Sequence, residues 1–214
     1  MSEELVLDAL QHNNLEFLKK AVVQTSVEDI HRLFYSCASH GNLQHVKTLL
    51  PFVDPRVEGS WALCLAARNG HSRVVEFLIP HSNPLDEGSR ALRKAATEGH
   101  VECVKLLIPV SNPYDDESAA LWAAALWMKY ECVELLIPVS NPKADHSRAL
   151  QITVGMEDFD GFCLLYSVSD TIDARQHLRT GRDELFDSLE ARYLKKILED
   201  NIDVNPQPLN KRKI

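Results

Sequence analysis

Apolar positions along this chain recur on two beats. The short beat places them at i, i+3 and i+4, as in Val101, Val104 and Leu106 to Ile108, which predicts amphipathic helices. The long beat returns the whole pattern every 29 residues: "LLIPVSNP" stands at 106–113 and 135–142, with "FLIPHSNP" at 77–84 and "TLLPFVDP" at 48–55. Leu63, Leu92, Leu121 and Leu150 mark the register, with Phe34 at the corresponding earlier place. Three places later comes a small residue, Cys37, Ala66, Ala95, Ala124 or Thr153, and then Ala38, Ala67, Ala96, Ala125 or Val154. A fixed period of this length is the signature of stacked units, none of which can bury its apolar face alone.

Each unit predicts a pair of short antiparallel helices. Ser60, Ser89, Ser118 and Ser147 precede the register mark by three residues, where a hydroxyl can cap the first helix. The small pair inside that helix permits close approach by a neighbour. Gly41, Gly70 and Gly99 then supply a left-handed turn, and His71 and His100 open the second helix, read as capping residues rather than metal ligands. The second helix is predicted to stop at proline, which lacks the N–H a helix needs. Eight of the ten prolines fall in four Pro-x-x-x-Pro connectors (51/55, 80/84, 109/113, 138/142), so they read as elbows rather than as a proline-rich ligand.

Two stretches, "ALCLAARNGHSRVVEFLI" (62–79) and "ALRKAATEGHVECVKLLI" (91–108), follow the order Leu-x-x-Ala-Ala-x-x-Gly-His-x-x-Val-Val-x-x-Leu-Leu. In this the chain resembles the ankyrin repeat family. The resemblance implies an all-α solenoid of stacked helix–turn–helix repeats. Family repeats run to about 33 residues; these are shorter, and the deficit falls where the family builds its β-hairpin finger, so little or no β-structure is expected. The family's Thr-Pro-Leu-His opening is likewise replaced by "SRAL" or "SAAL". The reading is one repeat domain over 1–214: an N-terminal cap at 1–29, repeats at 30–58, 59–87, 88–116, 117–145 and 146–170, a C-terminal cap at 171–205 and a tail at 206–214. Residues 169–181 carry no assignable element.

Charge narrows the partners. The formal net charge is −8, which argues against phosphate neutralisation and hence against nucleic acid. No run of 18 apolar residues is present, and the opening "MSEELVLDAL" is too acidic for a targeting peptide, so no membrane association and a cytoplasmic location are expected. The five cysteines are scattered without C-x-x-C spacing and sit in apolar stretches, which suits a reducing compartment. Nothing in the sequence carries the phosphate-loop, zincin or serine-hydrolase patterns. The acidic "EDFDG" at 157–161 lacks the oxygen ligands of a calcium loop, and Asp158 reads instead as a helix cap. No catalytic residue, metal or cofactor is assigned.

One copy breaks the pattern. Where its neighbours read "RNGH" (68–71) and "TEGH" (97–100), the fourth reads Leu126, Trp127, Met128, Lys129. In the ankyrin family the two residues before Gly-His face the concave groove used for partners. By position the resemblance therefore implies a groove containing Arg68, Asn69, Thr97, Glu98, Leu126 and Trp127, flanked by Trp122. Trp127 reads as an aromatic anchor for a partner, as a side chain folded inward beneath the altered turn, or as a contact for the irregular segment beyond the fifth repeat. The expected function is non-enzymatic recognition of another protein. The alternatives are a specific inhibitor or immunity-type protein that blocks a toxin or enzyme, or a secreted ankyrin effector; an enzyme with an unrecognised site, near 155–181, stands behind them.

Overall fold

The computed structural model describes residue 8, residues 15–178 and residues 181–203; the tail and much of the N-terminal cap lie outside the described residues. Helices and short turns account for every described element, and no strand occurs among them. The chain divides into two compact units, residues 1–141 and 142–214.

The first unit holds α1 (Leu15–Val23), α2 (Val27–Ser39), α3 (Leu43–Leu49), α4 (Val57–Arg68), α5 (Ser72–Leu78), α6 (Asp86–Glu98), α7 (Val101–Leu107), α8 (Asp115–Leu126) and α9 (Tyr130–Leu136). First helices α4, α6 and α8 begin 29 residues apart, as do second helices α5, α7 and α9. The burial pattern keeps the same beat. Val46, Val75, Val104 and Val133 are fully buried, as are Leu49, Leu78, Leu107 and Leu136. Each such leucine contributes roughly 1.5–3 kcal/mol by leaving water. The alanine pairs 66/67, 95/96 and 124/125 are also buried, and their small side chains let α4, α6 and α8 pack directly against one another. The result is an all-α solenoid.

The connectors differ in two ways from what the residues suggest. Proline does not stop the second helix outright: α5 ends at Leu78, and Pro80 lies inside a 3-10 turn, Ile79–His81. A proline near the start of such a turn forfeits no hydrogen bond. Equivalent turns occupy Leu50–Phe52, Ile108–Val110 and Ile137–Val139.

The serines do not cap their own helices either. Glu58, Gly59 and Ser60 form a single left-handed turn (φ 55°, 64° and 56°) ahead of the right-handed part of α4, and the same turn recurs at 87–89 and 116–118. So placed, the Ser60 hydroxyl faces the next connector, where it accepts from the Asn83 N–H at 2.9 Å and donates to Asp86 Oδ2 at 2.7 Å. Ser89 repeats this with Asn112 (2.9 Å) and Asp115 (2.6 Å), and Ser118 accepts from the Asn141 N–H at 2.9 Å. These hydroxyls are buried and join one repeat to the following one.

The second unit comprises α10 (Ala144–Gly155), α11 (Phe159–Tyr166), α12 (Thr171–Gln176) and α13 (Asp183–Asp203). Asp158 caps α11 by accepting from the Gly161 N–H at 3.1 Å, as the sequence predicts. Asp170 caps α12 through the Asp173 N–H at 3.0 Å, giving the 169–181 segment the helix its sequence did not reveal. Phe162 and Phe186 are buried with ring centroids 5.7 Å apart, edge to face. Tyr166 closes the cluster by donating to Glu190.

Candidate partner-binding surface

The surface begins where first helices end. Gly41, Gly70 and Gly99 turn the chain with φ of 74°, 76° and 84°. The fourth repeat keeps that conformation without glycine: Met128 sits at φ 52°. A side chain there is strained by about 1–2 kcal/mol against the following carbonyl.

The histidines beside the glycines do not cap. His71 makes no side-chain bond to its own helix; its Nε2 lies 2.8 Å from the Ser39 carbonyl of the preceding repeat. Its ring covers Gly41 so closely that an added Cβ would lie 2.6 Å from Nδ1, and His100 covers Gly70 in the same way. The imidazole spans two stacked repeats instead. At Gly99 the stem of Lys129 takes this place.

The seven residues implied by the resemblance have distinct fates. Arg68 and Glu98 are exposed and face each other across adjacent repeats at 3.8 Å. Asn69 is spent on structure: its amide donates to the Ser39 carbonyl (2.9 Å) and hydroxyl (2.8 Å). Thr97 donates to the Arg93 carbonyl of its own helix at 2.7 Å. Trp122 is half-buried. Leu126 and Trp127 come together with Met128 as a consecutive apolar run, 37 %, 57 % and 50 % exposed. Trp127 is thus not folded inward. Next to this run a cleft of about 340 Å³ is lined by Gly99, Val101, Met128, Lys129, Tyr130, Glu131 and Cys132.

A second cleft was missed by sequence reasoning. It measures about 160 Å³ and is lined by Trp61, Cys64, Leu65, Arg68, Arg90 and Lys94. The Arg90 guanidinium lies over the Trp61 ring at 4.3 Å while also pairing with Glu87. The signal was available: aligned on the 29-residue beat, Trp61 falls where the next repeats carry Arg90 and Ala119.

Buried thiols offer no nucleophile. Burial pushes Cys37, Cys64, Cys103 and Cys132 up to about 11, so the thiolate is scarce at neutral pH.

Comparison with known proteins accounts for this architecture. The sequence model described as ankyrin repeats (3 copies) matches residues 33–115 and 63–149, together more than half of the chain. The chain belongs to the ankyrin repeat family. Among solved structures, this ankyrin repeat protein is similar to the human ASB11 ankyrin repeat domain, with a TM-score of 0.54 and 17 % identity over 73 % of this chain and 82 % of that one. No curated protein matches the ankyrin chain in sequence. Ankyrin repeats generally serve as protein–protein interaction modules and are typically non-enzymatic scaffolds. Among the described residues, no helix of this ankyrin protein is long and apolar enough to cross a membrane.

Proposed function

We propose that the chain is a non-enzymatic binding module whose partner is another protein, held on the face made by the ends of the first helices. The observation that carries this reading is the exposed run Leu126–Trp127–Met128. Consecutive large apolar side chains in water are unfavourable unless a partner covers them. Tryptophan is also the residue type most enriched among binding hot spots. Arg68, Glu98 and the half-buried Trp122 form the polar and aromatic margin of the same surface. Asn69 and Thr97 hold the turns that present it.

The test is Trp127→Ala, compared with wild type by affinity capture from native lysate and then by titration against the captured protein. Because the side chain is more than half exposed, stability changes by less than about 0.5 kcal/mol. Affinity for the captured partner drops by about 2 kcal/mol or more, some thirtyfold. Unchanged affinity in the folded variant removes the anchor.

A further inference from the structure

Two histidines and an aspartate converge in the second unit. His146 Nδ1 lies 3.2 Å from both carboxylate oxygens of Asp173, and His177 Nδ1 lies 3.1 Å from Oδ1 of the same carboxylate. The imidazoles stack with centroids 3.7 Å apart and planes 12° from parallel. One donor atom from each of the three residues falls within 4.8 Å of the other two.

The geometry points to a binding site for a borderline divalent transition ion of the zinc class, held by His146, Asp173 and His177 with water in the fourth position. Zinc bonds to imidazole nitrogen and carboxylate oxygen are about 2.0–2.2 Å long. Bonds of that length set the corners of a tetrahedron about 3.3–3.6 Å apart, slightly wider than the 3.1–3.2 Å His-to-Asp hydrogen bonds that gather the three side chains. Two nitrogen donors with one oxygen select against calcium and magnesium, which take oxygen shells.

The backbone ties the three ligands to one another. Ser147, adjacent to His146, accepts from the Asp170 N–H at 2.9 Å, and the Asp170 carboxylate in turn accepts from the Asp173 N–H. Asp173 and His177 are four residues apart on and just after α12, a spacing that turns both to one side. The His146 carbonyl is fixed by the Gln151 amide at 2.7 Å. Arg175, the nearest cation in sequence, is occupied by Asp187 at 2.6 Å and leaves the Asp173 carboxylate to the histidines.

Loading requires two adjustments. A metal lies near the plane of each imidazole it binds, and two stacked rings share no such point, so one ring must turn; the His146 side chain, 51 % exposed, has room to do so. His177 Nδ1 also donates to the Asp173 carbonyl at 2.9 Å, so its proton must pass to Nε2 or to water before that nitrogen binds the metal.

The experiment is calorimetric titration of the chelator-stripped full chain with zinc chloride, beside imidazole-ring NMR. One equivalent binds in wild type, and the rings of His146 and His177 shift together. His146→Ala, His177→Ala and the near-isosteric Asp173→Asn each weaken binding at least tenfold while keeping the wild-type melting temperature in chelator. His45→Ala, remote in sequence, leaves binding unchanged, and magnesium chloride does not substitute. Zinc affinity that survives these three substitutions, or ring shifts confined to other histidines, overturns the assignment; the wild-type NMR arm decides even where a variant misfolds.

Discussion

Position 128 shows how a single residue can be both legible and misread. Its departure from glycine is plain in the sequence, because three earlier copies define the position. That the backbone stays left-handed is not, since a methionine ordinarily forces a different turn. Glu157 repeats the case in the second unit, with φ 56°. Replacing either residue by glycine relieves about 1–2 kcal/mol of strain and forfeits about 0.5–1 kcal/mol through the unfolded chain. Both Met128→Gly and Glu157→Gly should therefore raise stability by up to about 1.5 kcal/mol, measured by urea denaturation. Only the first should also weaken partner binding. A loss of stability in both would show that the turn is not strained.

Among elements, the helices were readable and their joints were not. Alternation and periodicity are local, and several copies report each core position, so Leu63, Leu92 and Leu121 identify themselves. Ser60 and His71 were assigned to the nearest helix end because local capping is the commonest use of such residues. Their actual partners stand 23 to 32 residues away in a neighbouring repeat. The same distance hid His146 from Asp173, and Trp61 from Arg90. These joints can be tested. Ser89→Ala removes the acceptor of the Asn112 N–H in a half-buried setting, which should destabilise the fold by about 1 kcal/mol. The readout is the midpoint of a urea transition at unchanged slope. A change below about 0.5 kcal/mol, the scale of an ordinary surface substitution, would make the serine joints ornamental.

For the molecule as a whole, alkaline pH is the informative variable. Cys37, Cys64, Cys103 and Cys132 ionise near 11 when folded, against an ordinary value of 9.0, because burial disfavours the thiolate. Above pH 9 the unfolded chain therefore binds fewer protons than the folded one. The stabilisation is complete below about pH 9 and is lost as pH rises towards 11. Tyr35 and Tyr166, also raised by burial, act in the same direction at higher pH. Denaturation midpoints should fall between pH 9 and 10.5, and a Cys103→Ala, Cys132→Ala variant should fall less steeply over the same interval. Equal slopes would mean that the thiols are not the groups responsible.

The cysteines also fall one to a repeat: 37, 64, 103, 132 and 163. Each is shielded to some degree while its own repeat is closed, and each becomes open to alkylation when that repeat opens. A brief pulse of iodoacetamide followed by mass mapping would then time-stamp every slab separately, so the wild-type chain is already labelled for watching a solenoid come apart, rung by rung.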